Sequence, residues 1–278
     1  MREKVSPNNL PNTNKEESKQ KHSTVSIPKP KPLTGGSEVY QKDNGTPYWY
    51  CKIKEGRDEF MHLYFEDLTE DDLMYNPNGT KRKFVTVRQN LLAANIIQAL
   101  NNKPKEGYRW IPSYEPTRIG NNLAFVPGET VLCSWGQISY HDWKVMATNY
   151  SPNNGSRVAF DTTYFLLLLR WLKDGIATIE QLADDSKDIG HYYDSEDAKD
   201  FAEKTGERFF GGLFGFAGNT FKIVQTSSII SLKAFSILGG CYDVEGMDCP
   251  IAHILPLIDK QIITSCLRYT TMLLELTE

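Results

Sequence analysis

Long hydrophobic runs are missing from this 278-residue sequence. No window approaches the roughly 18 uninterrupted apolar residues that cross a bilayer, and the densest stretch, Tyr164 to Leu169, stops at Arg170. The first residues carry charge but no apolar h-region, so neither a secretion signal nor a transmembrane helix is expected, and the implied location is cytoplasmic or virion-associated. An excess of positive charge is missing too. A formal net charge of -4 supplies no broad field for phosphate backbones, which argues against nucleic acid as a partner. Cysteine is sparse and odd in number, with Cys51, Cys133, Cys241, Cys249 and Cys266 widely spaced. A chain long enough to build its own core does not need a disulfide framework, so reduced thiols are expected.

Aromatic residues are absent from residues 1–36, which hold seven Lys or Arg against three Glu. Such a stretch cannot bury enough apolar area to offset its ordering entropy, and it reads as a disordered basic tail. Within it, Pro28-Lys-Pro-Lys-Pro32 favours extended polyproline geometry. From residue 37 the character changes, as Tyr40, Tyr48, Trp49 and Tyr50 arrive together. With 40% apolar and 12% aromatic residues in the whole chain, residues 37–278 hold enough material for a single core.

Inside that domain, Tyr48 to Ile53 and Phe60 to Phe65 read as short strands around a charged turn. Leu92, Ile96 and Leu100 fall four apart with Ile97 beside them, which predicts a helix over 88–101 closed by Asn101-Asn102 and Pro104. Asp161 is placed to cap a second helix, Thr162 to Lys173, whose nearly all-round apolar surface marks it as a core helix. Thr178-Ile-Glu-Gln181 has capping-box spacing and starts a third, short helix through Ala183. Residues 103–135 are rich in Gly, Pro and Asn and predict loops and short strands.

Several motifs resist a catalytic reading. Asp184-Asp-Ser-Lys-Asp188-Ile-Gly190 begins like a calcium loop but lacks the glycine and the acid that such a loop needs where Ile189 and Ser195 stand. No metal is assigned, no cofactor is expected, and no catalytic residue is named. His141-Asp142-Trp143 sets an imidazole beside a carboxylate, yet neighbours on an extended strand point to opposite faces, and no nucleophile is tied to them by sequence. Cys241 and Cys249 lie eight apart, where inert packing is the default reading for buried cysteine. The stretch Phe210-Gly-Gly-Leu-Phe-Gly-Phe-Ala-Gly-Asn-Thr-Phe-Lys-Ile-Val224 has Asn219-Thr220 where a phosphate loop needs Lys, so its glycines instead suggest tight turns feeding a buried strand.

That last stretch resembles the GLYDMxGNVWEW signature of the C-type-lectin-like fold shared by formylglycine-generating enzymes and the variable proteins of diversity-generating retroelements. Gly212 to Lys222 fills it, with Phe221 and Lys222 where the family has Glu-Trp. Downstream, Ile237-Leu-Gly-Gly-Cys-Tyr-Asp243 resembles RGGSWND, and Leu267-Arg268 stands near a GFR element. Upstream, Ser134-Trp135 and His141-Asp142-Trp143 resemble the segment before the fold's helix, and Gly155 to Tyr164 resembles its LPTEAEW entry. The resemblance implies an α+β fold, with two helices on a small antiparallel sheet, a loop-rich C-terminal half, and Phe214, Phe216 and Phe221 buried.

The same resemblance implies two activities that the residues separate. The enzymes use a C-terminal cysteine pair in an arginine-rich context, and no RYRCAAR-like segment is present here. The variable proteins use the loops after the Gly-Gly element as a binding surface, and residues 226–271 are rich in types encoded by codons ending in a pyrimidine, with Lys233, Glu245, Met247, Lys260 and Gln261 as exceptions. The expectation is therefore a non-enzymatic variable protein that recognises a protein or cell-surface ligand. Its face would comprise Ser236, Leu238, Cys241, Tyr242, Asp243, Glu245, Met247, Asp248, His253, Leu255, Leu257 and Asp259, with Tyr242 as aromatic anchor. A phage or viral structural component and a thiol-dependent oxidase are the rival readings, and the sequence leaves the oligomeric state open.

Overall fold

A computed structural model describes residues 33–34, 36–41, 49–53, 58–133, 138–196, 201–206, 209–227, 235–257 and 269–277. The tail expected over 1–36 therefore lies outside the described residues except at Leu33, Thr34 and Gly36. Leu33 is buried, and Thr34 is clipped to Asn154, its N–H donating to the side-chain oxygen at 2.8 Å and its carbonyl accepting from the amide at 3.1 Å.

Strands β1 (Gly36–Gln41), β2 (Trp49–Ile53) and β3 (Glu59–Tyr64) form an antiparallel meander. After the short helix α1 (Glu70–Met74) and helix α2 (Val87–Asn101), strand β4 (Tyr108–Pro112) completes the first sheet in the order β1-β2-β3-β4. The hairpin β5 (Thr117–Ile119) and β6 (Asn122–Ala124) leads to helix α3 (Tyr140–Tyr150). Strand β7 (Arg157–Val158) follows, then helix α4 (Asp161–Lys173) and helix α5 (Ile179–Ala183). The small hairpin β8 (Phe209–Phe210) and β9 (Leu213–Phe214) precedes β10 (Phe221–Gln225), β11 (Phe235–Leu238), β12 (Ile254–Leu257), β13 (Thr270–Met272) and β14 (Leu274–Glu275). The second sheet has the order β12-β11-β10-β13, with β13 parallel to β10, and β14 pairs separately with β7.

The architecture is α+β, as the sequence implies, but it is richer than two helices on one small antiparallel sheet. Five helices lie among the described residues, and the second sheet is mixed. Helix α3 is the element the sequence concealed. Its His141-Asp142-Trp143 segment is a helical first turn, where Ser139 Oγ accepts from the Asp142 N–H at 3.2 Å and the Asp142 carboxylate accepts from the Ser139 N–H at 3.1 Å. Asp142 thus serves as one half of a capping box, with His141 exposed beside it.

Two cores meet across β3. Side chains alternate on a strand, so Met61 and Leu63 face a core built around α4, while Phe60 faces a second core with Trp110, Phe125, Trp143, Phe221 and Leu274. Residues Thr162 to Leu172 of α4 are all buried, and each enclosed leucine contributes about 1.5–3 kcal/mol, which fixes this helix at the centre. The expected cap falls one residue earlier, at Phe160, while the Asp161 carboxylate accepts from the N–H groups of Thr162 and Ser227 at 2.8 and 2.9 Å. Arg170 is tolerated in this helix because its guanidinium donates to the Tyr64 carbonyl at 2.6 Å and pairs with Asp67. Residues 269–277 tie the halves together: Leu276 exchanges backbone hydrogen bonds with Trp110 of β4 at 3.1 and 3.0 Å, and β13 pairs with β10.

One buried titratable group lacks compensation. His62 lies on β3 with its ring 4.8 Å from Trp110 and 5.0 Å from Tyr108, and neither ring nitrogen has a hydrogen-bond partner among the described residues. Burial, aided by the Arg170 guanidinium, holds its pKa down to about 3. An unfolded histidine titrates near 6.5, so the unfolded chain takes up this proton first. Stability present above about pH 6.5 is accordingly lost as pH falls toward 3, by at most about 5 kcal/mol. Asp174, pushed up to about 6 chiefly by burial, acts in the opposite sense over part of that window, so the informative quantity is a difference between variants. His62→Phe should flatten the fall in urea midpoint between pH 7 and pH 4 relative to the parent; an unchanged fall would remove His62 as its source.

Candidate ligand-binding face

The segment 239–253 leaves β11, loops outward and returns into β12. Two glycines make its path possible. Gly239 adopts φ 78°, and a Cβ on Gly240 would lie 2.3 Å from the Cys249 carbonyl oxygen and 2.6 Å from the Tyr192 ring. The loop then docks on residues 184–196 through backbone bonds. Tyr193 N–H donates to the Val244 carbonyl at 3.0 Å, Gly246 N–H to the Asp194 carboxylate at 2.8 Å, and Ile251 N–H to Ser186 Oγ at 2.8 Å. From α4, the buried Tyr164 hydroxyl donates to the Ile251 carbonyl at 2.7 Å.

Beneath the loop lies a buried polar hub from the Gly-rich stretch. Gly211, Gly212, Gly215 and Gly218 all take positive φ, and so does Asn219 at 25°. These are the tight turns the glycines imply, and they feed the buried strand β10, which encloses Phe216 and Phe221 and leaves Phe214 half-buried. Asn219 joins four segments: its N–H donates to the His191 carbonyl at 2.8 Å, its side-chain oxygen accepts from Ala202 N–H at 3.1 Å, its amide donates to Glu115 at 2.5 Å, and its carbonyl accepts from Tyr242 N–H at 3.3 Å. Lys222, buried on β10, donates from Nζ to Glu115 Oε1 at 2.9 Å, the Gly215 carbonyl at 3.1 Å and the Thr220 carbonyl at 2.7 Å.

The twelve residues expected on the binding face divide sharply. Ser236, Leu238 and Cys241 are buried, which corrects their assignment to the surface: Leu238 packs into the α4 core while its neighbour Ile237 and, beyond the strand, Cys241 pack into the second core, so both faces of β11 are covered. Ser236 Oγ is paired with Thr226 Oγ1 at 3.1 Å. The Cys241 thiol donates to the Asp243 carboxylate, and burial followed by that hydrogen bond pushes its pKa up. Leu255 and Leu257 lie on β12, in register with Ile237 and Phe235 of β11. Asp259 lies outside the described residues.

Tyr242 is half-buried, with its ring edge-on to Tyr269 at 4.3 Å and its hydroxyl donating to the Tyr269 hydroxyl at 2.6 Å. His253 is half-buried as well, and burial with the nearby Arg88 charge lowers its pKa, so it is neutral at pH 7. Asp243, Glu245, Met247 and Asp248 are exposed.

The docked partner loop adds residues the sequence did not single out. Tyr193 is 66% exposed, more open than Met247 at 54%, while the adjacent Tyr192 is fully buried. The split falls where the chain enters a turn, with Ser195 N–H donating to the Tyr192 carbonyl at 3.0 Å. Asp188, Asp194 and Glu196 are exposed on the same loop, with Lys187 as the exposed cation. The face is thus a pinned, predominantly acidic surface around one aromatic and one thioether side chain, bordered by exposed Arg88, whose guanidinium donates to the Met247 carbonyl. Among the described residues no cluster of three or more His, Cys, Asp or Glu is arranged to hold a metal, and no helix is long and apolar enough to cross a membrane.

No family model and no curated protein matches this sequence. Among solved structures the chain is similar to Treponema denticola variable protein 1, with 12% identity over 87% of this chain and 92% of that one, at a TM-score of 0.31.

The hub beneath the face makes a sharp prediction. Removing one partner of a buried, hydrogen-bonded ion pair typically costs about 3–5 kcal/mol, whereas replacing both with apolar groups is far milder. Glu115→Ala should lower stability by that order in urea unfolding, and adding Lys222→Met should recover much of the loss. Additive losses in the double variant would show that the two side chains act independently.

Proposed function

We propose that this chain is a non-enzymatic ligand-binding protein with a C-type-lectin-like framework, a variable protein diversified by a retroelement in its C-terminal region. It takes a protein or cell-surface ligand on the 242–248 loop and the adjoining Tyr193. The observation that carries this reading is the contrast within one loop: a backbone pinned at several points and side chains of Asp243, Glu245, Met247 and Asp248 that project into solvent. A rigid frame displaying exposed loop residues is how recognition sites are usually built, and pinning the frame in advance lowers the ordering cost of binding.

The charge of the face selects the partner's chemistry. Six exposed carboxylates, Asp188, Asp194, Glu196, Asp243, Glu245 and Asp248, surround Tyr193 and Met247, so the ligand surface is basic, with an apolar or aromatic group at its centre. The same field repels a phosphate backbone. An oxidase built on Cys241 is disfavoured, since a buried thiol whose pKa is raised is a poor source of the thiolate that such chemistry needs.

A displayed random-peptide library panned on the full chain tests the face. Enriched peptides should be rich in Lys and Arg around an aliphatic or aromatic residue. Their affinity should fall about tenfold or more in the Tyr193→Ala, Met247→Ala double variant, and it should weaken as salt is raised. Peptides that bind parent and variant equally would place recognition elsewhere. Diversification is checked at the encoding locus, where a reverse-transcriptase gene and an imperfect repeat of the codons for residues 226–278 are expected. A locus with neither would leave a binder of fixed sequence.

A further inference from the structure

Helix α2 turns two faces to different surroundings. Gln89, Leu92, Ala93, Ile96 and Ala99 are buried, and the helix packs on α1, α4 and α5. The opposite face carries Val87, Leu91, Ala94 and Ile97 at i, i+4, i+7 and i+10, a spacing that lines one side of a helix. All four are exposed, Val87 at 77% and Leu91 at 59%. Asn90, Gln98 and Asn101 stand between them and are exposed as well. From Gln89 to Asn102 the sequence has no charged residue, whereas a helix whose outer face ends in water ordinarily charges that face. Single exposed apolar side chains are common, but a continuous uncharged stripe along a whole helix marks a surface for association.

The order of residues along the stripe matches the stripe itself run backwards. We infer that α2 pairs antiparallel with α2 of a second copy of this chain, about a two-fold axis at Ala94. In a two-fold contact each residue that meets another is met by it in return. Leu91 then stands level with the partner's Ile97, and Asn90 with the partner's Gln98, so aliphatic is set beside aliphatic and amide beside amide. Val87 stands level with the partner's Asn101 at each end. Ala94, the smallest side chain of the stripe, falls on the axis, where interaxial distance depends on side-chain size and a small residue admits close approach.

Charge favours the same arrangement. With a net charge of -4, two copies repel through their acidic surfaces, and the α2 stripe lets them meet without opposing like charges. Arg88, beside the stripe, donates to the Met247 carbonyl, so the acidic face borders the N-terminal end of α2. Antiparallel pairing sends the two acidic faces to opposite ends of a 15-residue helix about 22 Å long, well beyond the roughly 8 Å over which exposed charges are felt at physiological ionic strength. A stripe of about 22 by 10 Å is smaller than the roughly 800 Å² per partner of a standard stable interface. The dimer is therefore a reversible one that forms at micromolar concentrations and above.

Sedimentation velocity on the full chain tests the pairing, over about 1 to 300 μM. The mass should rise with concentration from 31.6 kDa toward twice that value and stop there, because a two-fold contact closes. Ala94 is exposed, so charging it leaves the core untouched. Ala94→Glu and Ala94→Lys should each weaken association about tenfold or more, since each sets like charges against one another on the axis. An equimolar mixture of the two variants should recover it, because opposite charges then meet. A chain that stays monomeric throughout would overturn the proposal and leave the stripe to another occupant. Growth past the dimer would overturn the two-fold. Single variants that associate like the parent, or a mixture that fails to recover, would overturn the axis at Ala94.

Discussion

The buried contact between Glu115 and Lys222 is the constraint on which the C-terminal half depends. A lysine enclosed beside Phe216 and strand β10 is costly to desolvate, and burial lowers its pKa while Glu115 opposes that shift. Glu115 offsets the cost only because its other donors are in place: the Asn219 amide binds Oε2, and the Thr220 hydroxyl donates to Oε1. The pair therefore requires the strained turn at Asn219, and that turn in turn fixes His191, Ala202 and Tyr242 through the remaining groups of Asn219. A polar network of this kind is stabilising when every member is satisfied and costly when one is missing. The 184–196 and 239–253 loops are thus placed by the same few atoms.

Much of this fold is legible in the sequence where one local signal dominates. Helix α4 is announced by an apolar surface too wide for anything but a core, and α5 by Thr178 and Gln181 at capping spacing. The glycines of 211–218 point to turns because few other residues tolerate their φ. Helix α3 is concealed because His141-Asp142-Trp143 resembles a segment that precedes a helix and reads as extended strand, and its local mark is the Ser139–Asp142 capping box beside it. Parallel pairing of β13 with β10 was also out of reach, since it joins residues about fifty apart with no local mark.

The candidate face shows the same division at the level of single residues. Phe235 to Leu238 is a strand whose alternate residues enter different cores, Leu238 the one around α4 and Ile237 the second, so it has no solvent face to display. Burial of Ser236 and Leu238 follows from the core packed on that face of the sheet, which no single stretch of sequence reveals. Cys241 follows from the Gly239-Gly240 turn, which points the chain back inside before it emerges at Asp243. Tyr193 was missed for the complementary reason: it lies on a loop some fifty residues upstream, and only the backbone bonds to Val244 and Gly246 bring it alongside.

These placements explain why an acidic face is compatible with a stable loop. Carboxylates crowded on one surface repel each other, and exposed ones are screened within about 8 Å at physiological ionic strength. The repulsion acts on side chains that solvent can rearrange, while the backbone is held by bonds to Asn219, Ser186 and Tyr164, which are buried and unscreened. Asp194 is the exception that proves the arrangement, since its carboxylate accepts from Gly246 N–H and so serves both frame and surface. Exposed charges on this loop can therefore be exchanged with little effect on the fold, whereas Gly240, Gly246 and Asn219 cannot.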